Sequence, residues 1–132
     1  FAAFKETFKI KSPGTVINNQ FPLSIEEAKK ITLAALESKK KPDAIFGMGD
    51  LILIGAMQAV HEKKLRVPED IGVVSISNGL IPTLYDPKIT FVETSGYKLG
   101  KLAFKRMMEC LAGSSFLQEL TVDSVLVNGG SL

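Results

Sequence analysis

Hydrophobic and polar positions fall into their clearest order between Lys41 and Asn78. An apolar run over residues 43–48 follows Pro42 and ends in Gly47-Met48-Gly49. A short, non-alternating run of that kind predicts a strand buried on both faces, as in a parallel sheet. Asp50 then stands where a helix needs an N-cap, and residues 51–62 are apolar at helical spacing. Lys63 and Lys64 suit the negative end of the helix dipole, and Pro68 keeps the helix from resuming. A second run rich in β-branched residues, 71–77, predicts another strand. Two such strands joined through one helix lie parallel in one sheet with a right-handed crossover.

The same patterns extend along the chain. Phe1, Phe4 and Phe8 form an apolar stripe with no cap before it, which predicts a helix entered part-way along and ending near Lys11, so the chain reads as a fragment of a larger protein. Ser12-Pro13-Gly14 is a turn cluster, and residues 15–19 form a short strand candidate. Ser24-Ile25-Glu26-Glu27 fits a capping box. The following helix gathers Ile25, Ala28, Ile31, Thr32, Ala35 and Leu36 on one face and ends in the lysine run 39–41. After Asn78 come a loop with room for a turn of helix through Leu84, a turn at Asp86-Pro87, a strand at 89–93, a helix at 96–112 and a turn at 113–115. Residues 117–128 predict one or two strands. Strands alternating with helices of this length define an α/β fold with a mainly parallel sheet flanked by helices.

Two helices carry more information than their mere existence. In the central one, Ile52, Leu53, Ala56, Met57, Ala59 and Val60 form the stripe expected on the sheet, while Leu51 and Ile54 fall outside it beside Gln58, His61 and Glu62. Two bulky apolar side chains there mark either a partner surface or a helix buried more deeply than one stripe requires. The helix at 96–112 separates Tyr97, Leu99, Ala103, Phe104, Met107, Cys110 and Leu111 from Lys98, Lys101, Lys105, Arg106 and Glu109. Its apolar side needs a cover.

Composition narrows the function classes. At 132 residues the chain is one domain or part of one. Its 16 basic and 14 acidic residues leave a net charge of +2, dispersed apart from Lys39, Lys40 and Lys41, which is no electrostatic footprint for nucleic acid. No apolar run approaches the roughly 20 residues that span a bilayer, so no membrane association is expected. A single cysteine excludes an internal disulfide and suits a reducing, cytoplasmic compartment.

Candidate chemistry is sparse. Gly47-Met48-Gly49 after a strand invites a dinucleotide reading, yet Ile52 stands where the third glycine would allow close approach, and there is no G-x-x-x-x-G-K sequence. One histidine, His61, makes a metal centre improbable and reads best as a solvent-facing residue near a helix end. Cys110 on an apolar stripe reads as a buried, inert thiol. No catalytic constellation stands out, so neither enzymatic activity nor a cofactor is expected. In sheets of this type ligands bind beyond the carboxyl ends of the strands, which singles out Gly49, Asp50, Ser77 and Asn78, with Phe21 as an aromatic wall at the exit of the first strand candidate. Asp50 alternatively serves as a helix cap and nothing more.

The string PDAIFGMGDLILIGAMQAVHEKKLRVPEDIGVVSISN, followed by DPKITFVETSGYKLGKLAFKRMME and LVNGGS, closely resembles the effector-binding domain of the lactose/galactose repressor family of bacterial transcription regulators. The resemblance covers nearly the whole chain. It implies the C-terminal subdomain of a periplasmic-binding-protein-like (type I) fold, part of an effector-binding and dimerisation domain, with a sugar or nucleobase held in the cleft between two subdomains. It further implies a homodimer, and DNA recognition through an N-terminal helix-turn-helix that this chain lacks. Most of the N-terminal subdomain would precede Phe1, and the helix at 96–112 would pack on it. By the same resemblance Phe21 matches an effector-stacking aromatic, Gly49 a site often asparagine, Ser77 one often an effector-binding aspartate and Gly129 one often arginine. Leu51, Ile54 and Tyr85 match positions near the dimer interface. The rival expectation from a different class is a solute-binding protein of a sugar transporter, which shares the fold.

Overall fold

A computed structural model describes residues 24–132. The expected helix before Lys11, the strand at 15–19 and Phe21 lie outside them. The described chain is a four-stranded sheet with two helices stacked on one face and a third helix none of whose residues is buried. Ser24 caps helix α1 (Ile25–Leu36), its Oγ accepting from the amide of Glu27 at 3.1 Å, as the capping-box pattern required. Strand β1 (Ala44–Gly47) leads into α2 (Asp50–Glu62), and β2 (Gly72–Ser77) follows. A short 3-10 turn (Ile81–Leu84), β3 (Thr90–Glu93), α3 (Gly96–Leu111) and β4 (Val125–Val127) complete the order.

Strands β1, β2 and β3 run parallel in sequence order, and β4 joins the far edge antiparallel to β3. The segment 117–128 therefore yields one three-residue strand rather than two. Alternation along β2 explains the two faces of the sheet. Val73, Ser75 and Ser77 are buried toward α2, whereas Gly72, Val74 and Ile76 on the other face are half-covered. Register aligns Phe46 with Val74, Ile76 with Val92 and Val92 with Leu126, so these five side chains form an apolar band across that second face. Phe46 and Leu126 are exposed there.

The core sits between the sheet and the two helices. Leu36, Ala59, Val60 and Ile71 form one buried cluster, and Leu53, Val73 and Ile89 form another. Helix α2 is thus covered twice, by the sheet and by α1. The second contact depends on Gly55: a methyl group there would stand 2.4 Å from the Ile25 carbonyl oxygen and 2.6 Å from the Ala28 Cβ. Ion pairs Lys29–Glu62 at 2.7 Å and Lys63–Glu37 at 2.5 Å brace the same helix pair along its surface. The Lys29 ammonium lowers the carboxyl pKa of Glu62.

The turn between α2 and β2 is closed by Asp70. Its carboxylate takes both the Nε and an Nη of Arg66 at 2.9 Å, and also the Arg66 amide. These bonds hold the Asp70 pKa down at about 2, from an ordinary value of 3.8.

The chain end is stitched across the amino end of the sheet. Ser131 is fully buried; its Oγ accepts from the Thr90 amide at 2.8 Å and donates to the Val73 carbonyl at 2.5 Å. Beside it the Gly129 amide donates to Thr90 Oγ1 at 3.0 Å.

Helix α3 is built differently. Ser95 caps it, accepting from the Lys98 amide, yet none of its residues is buried. Tyr97, Leu99, Phe104, Met107 and Leu111 are all exposed, and so is Cys110, which its place on the stripe predicts to be buried. Arg106 ties its last turn to the segment beyond, through Glu109, Ser114 and the Phe116 carbonyl.

Candidate functional site

The carboxyl ends of β1, β2 and β3 bring Gly49, Asp50, Ser77, Asn78 and Glu93 to one edge of the sheet. Ser77 and Glu93 are register partners. The parallel run of three strands is what places these residues together, since each strand exits on the same side.

Asp50 does not cap α2. The cap position belongs to Gly49, which offers no side chain, and Asp50 is the first helical residue. Its carboxylate instead accepts the Ser77 hydroxyl proton at 2.6 Å. Ser77 Oγ in turn accepts from the Gly79 amide at 3.0 Å, so one hydroxyl acts as both donor and acceptor within the fold. Ser77 is 4% exposed. The sequence pattern for a helix start was one residue out because a carboxylate at the first turn is favourable whether or not it caps.

Asn78 is exposed, and its Oδ1 accepts from the Leu80 amide at 3.3 Å, an Asx-type closure of the loop. Around Gly49 the space is open, with nothing within 4 Å of where a Cβ would stand. Its φ of 164° is extended backbone that any residue adopts. Gly129 is the opposite case. A Cβ there would meet the Lys88 carbonyl oxygen at 2.1 Å, and the residue lies at the amino end of β3, away from Ser77. The correspondence with an effector-binding arginine therefore has no room to operate; Gly129 is a backbone-packing position.

A second group of residues lies on α2 and the 3-10 turn. Leu51, Ile54, Gln58 and His61 are spaced three, four and three apart and so share one stripe of the helix. Leu51 is 55% exposed, and Ile54 is half-buried. Tyr85 packs against the Leu53, Val73 and Ile89 cluster, and burial raises its phenol pKa. With Lys29, Met57, Gln58, His61 and Glu62 it lines an open hollow of about 350 Å³. Beside it Leu80 and Leu84 are 64% and 69% exposed. The surface around Leu51, Ile54 and Tyr85 thus includes two leucines that periodicity passed over, because a four-residue 3-10 turn is too short to display a stripe. A larger hollow, about 510 Å³, runs along α3 between Tyr97, Gly100, Lys101, Phe104 and Lys105. Neither hollow is lined by Gly49, Asp50, Ser77 or Asn78. Among the described residues, no group of three or more His, Cys, Asp or Glu side chains could hold a metal ion, and no helix is long and apolar enough to cross a membrane.

Comparison with known proteins agrees with this architecture. Residues 9–132 match the periplasmic binding protein-like domain family. The ribose operon repressor of Halalkalibacterium halodurans is 28% identical over 109 residues, which are 83% of this chain and 33% of the repressor. A LacI-family transcriptional regulator from Enterococcus faecium, solved with bound ribose, superposes with a TM-score of 0.81 at 19% identity, covering 99% of this chain and 48% of that one. The lac repressor dimer bound to operator gives a TM-score of 0.84 at 22% identity, covering 98% of this chain and 38% of that one. The chain belongs to the periplasmic binding protein-like family, and its relatives and structural neighbours are regulators of the lactose/galactose repressor type. It spans about a third of the length of the curated relative.

Proposed function

We propose that this chain is the effector-sensing and dimerising part of a DNA-binding transcriptional regulator, and that its effector is a small molecule, most plainly a sugar. The observation that carries this reading is the likeness to a ribose operon repressor over 83% of the chain. The carboxyl edge of the sheet supplies half of a cleft, with the open space at Gly49 and the exposed Asn78 facing it; the other half belongs to a second subdomain that packs on the apolar side of α3. DNA contact belongs to a separate domain. The repressor relative favours a regulator over a transporter's solute-binding protein.

The stripe of Leu51 and Ile54, joined by Leu84 and Tyr85, is the homodimer surface in this reading. Exposed apolar side chains on two adjoining elements, edged by the Lys29–Glu62 pair, have the make-up of an interface core with a polar rim. An effector that spans the cleft acts only through its differential affinity for closed and open forms, and that difference biases the spacing of the two DNA-binding heads.

Isothermal titration of the full-length protein with ribose, a panel of other monosaccharides and nucleobases tests the reading. One ligand should give saturable heat and also change operator affinity. No heat with any of them, and an operator affinity indifferent to all, would count against it.

A further inference from the structure

Ser77 and Asp50 meet where two elements of the proposed partner surface originate. Asp50 opens α2, and the next residues of that helix, Leu51 and Ile54, lie on the exposed stripe. Ser77 ends β2, and the chain passes through Gly79 and Leu80 into the 3-10 turn that carries Leu84 and delivers Tyr85. The hydroxyl donates to Asp50 at 2.6 Å and accepts from the Gly79 amide at 3.0 Å, so a single oxygen holds the start of the helix and the start of the loop together. Burial of Ser77 to 4% shields both bonds from water, where they would exchange freely. Gly79 sits at φ +105°, a conformation that residues with side chains rarely adopt, so the loop's exit from the strand needs glycine there.

We infer that Asp50 and Ser77 are a positioning pair for the partner surface rather than groups that bind effector. Their bond fixes the angle between the α2 stripe and the 3-10 turn, and so the fit of Leu51 and Ile54 with Leu84 and Tyr85 against a second copy of the chain. This inference rests on the homodimer reading above. It also gives Ser77 a role that commits its only proton to Asp50 and one lone pair to the Gly79 amide, so the hydroxyl has no donor left for a ligand.

The test is the dimer dissociation constant of the full-length protein by sedimentation equilibrium, measured with four substitutions. Ser77→Ala should weaken the dimer about tenfold, the loss of roughly one charge-assisted bond's worth of preorganisation. Asp50→Ala, which cuts the same bond from the helix side, should shift it equally. Ser77→Thr keeps the hydroxyl and should restore the dissociation constant to within about threefold of wild type. Leu36→Ala loosens the core at the end of α1 distant from the surface, and should lower the melting temperature while leaving dimerisation of the folded protein unchanged. A dissociation constant untouched by Ser77→Ala and Asp50→Ala, or one raised as much by Leu36→Ala, would overturn the positioning role. A wild-type protein that stays monomeric would instead remove the homodimer reading on which it depends.

Discussion

Gly55 lies beneath Ile25 at a distance no other residue could occupy: a methyl group on its Cα would stand 2.4 Å from the Ile25 carbonyl oxygen. The same methyl would lie 2.8 Å from the Lys29 amide nitrogen, so the obstruction is backbone on both sides and cannot turn away. Replacing Gly55 by alanine would ordinarily gain about 1 kcal/mol of helix propensity. Here overpacking should outweigh it, and Gly55→Ala should destabilise the fold by about 1–3 kcal/mol, read from the urea midpoint. A stability equal to or above wild type would mean that α1 and α2 do not cross at this distance.

Ser131→Ala removes a buried hydroxyl that satisfies two main-chain groups at once, the Thr90 amide and the Val73 carbonyl. Both would be left without a partner in a site with no water access. Each such group costs about 1–3 kcal/mol, and the variant should lose roughly 2–4 kcal/mol in chemical denaturation. Hydrogen exchange at the Thr90 amide should quicken more than at amides elsewhere in the sheet. Unchanged exchange at that amide would contradict the assignment.

Gly49→Asn is expected to be accommodated, since a Cβ at that position meets nothing within 4 Å and the backbone is extended. Asparagine is a favourable N-cap, so stability should remain within about 0.5 kcal/mol of wild type or rise slightly. The added carboxamide projects toward the proposed cleft. Calorimetry with the effector should therefore register a change in affinity while the melting temperature holds. A large loss of stability would show that the recess is filled.

Asp70 should make stability depend on pH below neutrality. Its folded pKa, about 2, lies below the ordinary carboxylate value of 3.8, so the unfolded chain binds the proton more readily. The contribution is complete above about pH 5 and is lost as pH falls through the ordinary value toward 2. Asp70→Asn should remove that component and flatten the urea midpoint between pH 4 and 2 relative to wild type. A carboxyl carbon titration of Asp70 by NMR that centres near 4 would contradict the bidentate pairing with Arg66.

Much of this fold was legible because each element carried its own signal. The Ser24 capping box, the apolar run closed by Gly47-Met48-Gly49 and the β-branched run ending at Ser77 all marked real boundaries to within a residue or two. The parallel pairing of β1 with β2 followed from the helix between them, whereas that of β2 with β3, joined only through a loop and a 3-10 turn, had no such signal. The antiparallel pairing of β4 had none either, because a three-residue strand is defined by its neighbour Phe91 and not by its own pattern. Gly55 stood unnoticed inside a convincing helix, since a close helix crossing depends on the partner's backbone. Ser131 was likewise silent: a serine after two glycines reads as a loose end until the sheet closes over it.

The candidate site was less legible than the fold. The strand ends did bring Gly49, Asp50, Ser77 and Asn78 together, as topology alone demands. What the residues do there depended on distances: Asp50 turned out to hold Ser77 rather than cap the helix, and Gly129 turned out to be pressed against the Lys88 carbonyl at the other end of β3. Leu80 and Leu84 became visible as companions of Leu51 and Ile54 once their exposure was known.

The most direct measurement is sedimentation equilibrium of the full-length protein beside its Ile54→Glu variant, with melting temperature recorded for both. A homodimer built on the α2 stripe predicts a dimeric wild type and a variant weakened by about a hundredfold or more, because one carboxylate would be buried unpaired at the centre of the interface. The melting temperature of the variant's folded monomer should show that its core is intact. A wild-type monomer, or an Ile54→Glu protein as dimeric as wild type, would contradict the assignment of this face to a second copy of the chain.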